Sequence, residues 1–148
     1  MSEITPGLQE YLVAIYRLQS VNRRAVRAKE LSEELGVTLP SVTDALRKLS
    51  KAGLINYRRY NEVTLTDDGV RSATVILDKE RVFYEFLRDV LGIEEHVARK
   101  EACWIEHGVS SESTERLRLF IEFLRENVVN FSEKFREFLK NKNSMNGS

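Results

Sequence analysis

The sequence predicts a mainly α fold in two parts: a small helical head carrying one β-hairpin, then an all-α body. Three observations carry this expectation. Apolar residues recur at helical spacing through most of the chain, aromatic and β-branched residues cluster only over 54–66, and Gly or Pro marks several segment ends. With 148 residues, 42% hydrophobic and 31% charged, the chain can build a core and is not of disordered composition.

Leu8, Tyr11, Leu12, Ile15, Tyr16 and Leu18 follow Pro6-Gly7 with a helical period, so a first helix is expected over about 7–20. A turn at 21–25 leads to a short helix at 28–35, with Leu31 and Leu35 inward and Gly36 as C-cap. Thr38-Leu39-Pro40-Ser41 opens the next helix, because proline in the first turn loses no hydrogen bond. Val42, Ala45, Leu46 and Leu49 face inward, and Ala52-Gly53 ends it. Two helices joined by a short turn containing Gly form a helix-turn-helix, and the segment 54–66, turning near Asn61-Glu62, supplies a β-hairpin wing.

Thr66 or Asp67 caps a long helix over about 67–91, stopped by Gly92. Helices are expected at about 94–107, 110–126 and 130–141, the last presenting Phe131, Phe135, Phe138 and Leu139. The expected division is a winged helix-turn-helix at 1–66, a helical domain at 67–141, to which dimerisation and metal sensing fall on the grounds given below, and a polar, frayed tail at 142–148.

A helix that enters the major groove needs short polar groups near its start and cations on its flank. Thr38, Ser41, Thr43 and Asp44 lie opposite the apolar face, and Arg47, Lys48 and Lys51 follow. Arg27, before the preceding helix, and Arg58 and Arg59, with Tyr60 at the wing tip, are placed for phosphate or minor-groove contact. Asp44 must accept from a cytosine amino group or position Arg47 or Lys48, since a carboxylate repels phosphate. Residues 1–65 hold ten Lys/Arg and seven Asp/Glu; the remainder holds thirteen and sixteen. A basic head on an acidic body suits double-stranded DNA as partner. No apolar run reaches a membrane span and the N-terminus lacks signal-peptide regions, so a cytoplasmic location without membrane contact is expected.

Cys103, Glu106 and His107 fall at i, i+3 and i+4, which puts thiolate, carboxylate and imidazole on one helix face. Sulfur, oxygen and nitrogen donors together suit a transition metal better than Ca(II) or Mg(II). Trp104 and Ile105 point away from that face and are expected in the helical body, and His96 at the surface.

Several motifs in this order resemble the diphtheria toxin repressor and manganese transport regulator family: Tyr11-Leu12 with Ile15-Tyr16, Pro40-Ser41-Val42-Thr43, Leu65-Thr66 with Gly69, and Glu101-Ala-Cys-Trp-Ile-Glu-His107. The resemblance covers roughly residues 5–126 and implies a metal-dependent transcriptional repressor that binds a palindromic operator as a homodimer. Carried over, the metal ligands fall on Glu10, Cys103, Glu106 and His107. One sulfur, one nitrogen and two carboxylates favour Fe(II), then Mn(II), with Co(II), Ni(II) or Zn(II) as substitutes in vitro. The family's second site would fall on Glu80, Tyr84 and Arg99, and an arginine cannot ligate a cation, so a Glu80–Arg99 ion pair is expected there instead. Val13 stands where a two-ion site would need another carboxylate, which implies one ion per chain. The resemblance is to a short form without the SH3-like domain of longer members. Phe83, Phe86, Val90, Leu117 and Phe120 are candidates for the dimer contact.

Competing readings are a metal-independent winged-helix repressor gated by another ligand, a metal-dependent nuclease-like hydrolase, and an architectural DNA binder. No HExxH motif, phosphate loop or independent general base supports the enzyme.

Overall fold

Thr5 caps the first helix: its Oγ1 accepts from the Leu8 amide at 3.3 Å, and Pro6 follows in the first turn of α1 (Pro6–Asn22). The computed structural model describes residues 4–147. Residues 1–3 of the expected head and Ser148 of the expected tail lie outside them. The chain divides into two units, one reaching Leu77 and one starting at Asp78.

In the first unit α1 buries Leu12, Val13, Ala14 and Ile15 and ends at Arg23, whose φ of 52° is left-handed. A two-residue strand β1 (Val26–Arg27) precedes α2 (Ala28–Leu35), which Gly36 closes at φ 63°. Helix α3 (Leu39–Lys51) is capped by Thr38, whose Oγ1 accepts from the Ser41 amide at 3.4 Å. Its buried face is Val42, Ala45, Leu46 and Leu49, as the spacing predicts. Strands β2 (Ile55–Tyr57) and β3 (Glu62–Leu65) form the wing. The sheet is antiparallel in the order β1-β3-β2, with Val26 opposite Val63 and Tyr57 also opposite Val63 on the other side.

Leu12, Ile15, Val26, Leu31, Val42, Leu46, Leu49 and Val63 are fully enclosed in this core. Each such side chain contributes about 1.5–3 kcal/mol by leaving water. The base of the wing is locked to the next helix, α4 (Asp67–Glu85). Thr66 Oγ1 accepts from the Gly69 amide at 3.1 Å and donates to the Gly53 carbonyl at 2.7 Å. Gly69 is obligatory here, because a Cβ would lie 2.0 Å from the Leu54 carbonyl oxygen.

The second unit starts in the later turns of α4, which widens into a π turn over Phe86–Val90; the Leu91 amide reaches back five residues to the Phe86 carbonyl at 3.0 Å. Gly92, at φ 71°, ends the run. Helix α5 (Glu95–Gly108) is capped by the Glu94 carboxylate, and α6 (Ser111–Asn127) by Ser110. Leu87, Ala98 and Ala102 form a small core with Phe83, Tyr84, Leu91, Ile93 and Ile105 packed on it. Ser132 at the start of α7 (Phe131–Asn146) donates to the Asp89 carbonyl at 2.6 Å. Helix α7 continues to Asn146, into the segment 142–148 expected to be a frayed tail; the Ser144 hydroxyl donates to the Lys140 carbonyl at 3.0 Å within it. No described helix is long and apolar enough to cross a membrane.

Candidate DNA interface and metal-ligand face

The start of α3 presents the residues the sequence selects. Thr38, Ser41 and Asp44 are exposed, and Thr43 is half-buried with its hydroxyl donated to the Leu39 carbonyl at 3.1 Å. Thr38 and Ser41 share a hydroxyl hydrogen bond of 2.9 Å, so both oxygens are held at the helix entry. Arg47, Lys48 and Lys51 are exposed along the flank. Asp44 pairs with Lys48 at 3.0 Å, one of the two uses that justify a carboxylate here.

Arg27 is exposed, and its amide donates to the Glu30 carboxylate at 2.7 Å. That carboxylate also receives the Arg24 guanidinium, with contacts of 2.5 and 3.2 Å. The Arg24 hydrogen bonds and the Arg27 amide hold Glu30 below the usual carboxylate range. Sequence reasoning passed over this lock, although a Glu three residues into a helix is a recognisable capping signal.

The wing tip is a single 3₁₀ turn, Arg59–Asn61, in which Tyr60 and Asn61 both have positive φ. Left-handed backbone at a residue with a bulky side chain costs about 1–2 kcal/mol. Arg58, just before the turn, and Arg59, its first residue, are exposed.

On α5, Cys103 Sγ and a ring nitrogen of His107 lie within 4.8 Å of one another. Glu106 is 4% exposed, with Oε1 2.7 Å from His107 Nδ1. Burial pushes the Glu106 carboxyl up; His107 and Lys79 oppose the shift and the Glu80 carboxylate adds to it. A buried acid facing a second acid, beside a thiol and an imidazole, is a donor set that fits a divalent cation. Glu10 stands exposed on α1 in the first unit.

Two expectations are corrected. Arg99 pairs with Glu95 at 2.8 Å rather than with Glu80, and its guanidinium lies 5.0 Å from the Tyr84 ring centroid. The i, i+4 partner on the same helix is nearer and needs no tertiary fit. Trp104 is 65% exposed instead of packed in the helical body, and Lys100 Nζ sits 5.1 Å over its ring. Ile105 does join the core, and His96 is exposed.

Residues 3–63 match the family model described as "Iron dependent repressor, N-terminal DNA binding domain", and residues 66–129 match "Iron dependent repressor, metal binding and dimerisation domain". The chain belongs to the iron-dependent repressor family. Within it, the chain is 36% identical over 125 residues to an HTH-type transcriptional regulator of Methanocaldococcus jannaschii, covering 84% of this chain and 100% of that protein. It is 29% identical over 123 residues to the HTH-type transcriptional regulator MntR of Lysinibacillus sphaericus, covering 83% of this chain and 87% of that one. Among solved structures, a manganese-dependent transcriptional repressor in complex with manganese superposes with a TM-score of 0.70 at 32% identity. That match takes in 78% of this chain but only 53% of the solved one, so this chain spans about half its length. The chain is a metal-responsive, DNA-binding transcriptional regulator from a family of regulators, not of enzymes.

Proposed function

We propose that this regulator is a cytoplasmic, Fe(II)-responsive repressor that acts as a homodimer on a palindromic operator, holding one ion per chain through Glu10, Cys103, Glu106 and His107. The observation that carries the reading is geometric: Cys103 Sγ and a His107 ring nitrogen lie within 4.8 Å of one another, and the buried Glu106 carboxyl is 2.7 Å from His107 Nδ1. A bound divalent ion supplies the positive charge this cluster needs. The thiol of Cys103 favours a softer ion than Mn(II), which puts Fe(II) first, although the solved repressor noted above carries manganese. Four side-chain ligands leave little open coordination for catalysis, and the reading assigns none.

The residues divide the work. Thr38, Ser41 and Thr43 meet base edges, while Arg27, Arg47, Lys48, Lys51, Arg58 and Arg59 meet phosphates. Asp44 acts through Lys48. Glu10 belongs to the reading head and the other three ligands to α5, so ligation selects one arrangement of the two. The ion must bind the DNA-competent state more tightly, and DNA must in turn tighten the ion.

The test is operator binding by Cys103→Ala and His107→Ala proteins, titrated anaerobically with Fe(II) and Mn(II). Loss of metal dependence is expected in both variants. Wild-type metal dependence in either variant contradicts the ligand set.

A further inference from the structure

The wing tip places a residue where folding alone has no use for it. Tyr60 adopts φ 65° and Asn61 φ 58°, two adjacent left-handed residues, neither of them glycine. Asparagine tolerates this backbone because its short amide can bond locally, and here Asn61 Oδ1 accepts from the Tyr57 hydroxyl at 2.8 Å. Tyrosine has no such compensation. Tyr60 is 88% exposed, more than any other large hydrophobic residue among those described. The turn is nonetheless held closed, with the Arg58 amide donating to the Glu62 carbonyl at 2.9 Å. A strained, well-held position that buries nothing points to a use outside the folded chain.

The surroundings say what that use is. Exposed Arg58 and Arg59 immediately precede Tyr60 in the chain, two cations suited to a polyanion. The hairpin follows α3 directly, and the Leu54 amide is bonded to the Leu49 carbonyl at 3.1 Å. A duplex that takes α3 into its major groove presents the neighbouring minor groove across one phosphate strand.

We propose that Tyr60 is a specificity-determining residue of the wing. Its ring lies against the deoxyribose wall of the minor groove flanking each half-site, and its phenolic O–H donates to the acceptor on an A·T edge. Arg58 and Arg59 take the adjoining phosphates. At an A·T pair the minor-groove floor carries only acceptors, whereas G·C adds an amino donor that opposes the phenol. This rests on the DNA-binding reading above and deepens it.

The test uses the full-length, manganese-loaded protein and a duplex it selects from a randomised pool, remade with A·T or G·C flanks. Tyr60→Phe should abolish most of the flank preference. Tyr60→Asn should lower affinity for the A·T-flanked duplex by about five- to tenfold while raising the thermal midpoint, because asparagine relieves the turn. Asn61→Gly should raise the midpoint and leave both binding values alone. Unchanged affinity and flank preference in Tyr60→Asn overturn the proposal, provided an Arg58→Ala/Arg59→Ala protein shows a flatter salt dependence. If that double variant keeps the wild-type slope, the wing does not touch DNA and the proposal falls with that part of the reading.

Discussion

The two units differ in what they bury. The first encloses Leu12, Ile15, Leu31, Leu46 and Leu49 without residual exposure, and its wing base is bonded to α4 through Thr66. The second has a smaller aliphatic core around Leu87, Ala98 and Ala102, buries the carboxyl of Glu106, and leaves Trp104, Phe120 and Phe123 exposed. Shape in the first unit is fixed mainly by apolar burial, with the Thr66 and Glu30 locks fastening its edges. In the second, a buried carboxyl is held beside the His107 ring at 2.7 Å, so a polar contact takes part in what apolar burial does in the first.

The largest effects test the first half of that comparison. Leu46→Ala should cost about 2–5 kcal/mol in a urea titration, and the same truncation at Leu87 less, since its half-buried neighbours can close on the gap. Gly69→Ala should destabilise severely, because the clash is with backbone that cannot move aside without breaking the Thr66 lock. Equal costs at Leu46 and Leu87 would erase the contrast.

The next test falls on the second unit. A metal ion at a hundredfold excess over its dissociation constant stabilises the chain that binds it by about 2.7 kcal/mol. Glu106→Gln should cancel most of the thermal-midpoint gain that Fe(II) gives the wild-type protein. A full metal-induced gain in the variant would show that Glu106 is not a ligand.

Much of this was legible because it is local. Thr38 with Pro40, Gly36 and Thr66 mark helix ends by chemistry that needs no tertiary partner, and the caps form there. Strand β1 was not legible: two residues carry no period, and Val26 becomes a strand residue only by pairing with Val63. Trp104 shows the same limit, since an apolar residue on a helix does not reveal whether its own core will cover it. At the site, helical spacing brought Cys103, Glu106 and His107 together, but only the family resemblance pointed to Glu10. The Arg99 partner was misjudged by looking past Glu95, four residues earlier on the same helix.

A smaller effect is expected at the Arg24–Glu30 lock. Because the folded Glu30 carboxyl titrates below its ordinary value of 4.5, its contribution is complete above that pH. It is lost as the pH falls through the depressed value. Glu30→Gln should therefore flatten the acid limb of a stability–pH curve and leave the neutral region nearly parallel to wild type; an unchanged acid limb would show that the lock does not form in solution. Smallest of all, Arg99→Ala should shift the midpoint only slightly and disappear in high salt, since its pair with Glu95 is exposed.

The most direct measurement is equilibrium dialysis of anaerobically prepared protein against Fe(II), with His107→Ala alongside. The account predicts one tightly held ion per wild-type chain and a large loss of affinity in the variant. Two ions per chain, none, or equal retention by both proteins would contradict it.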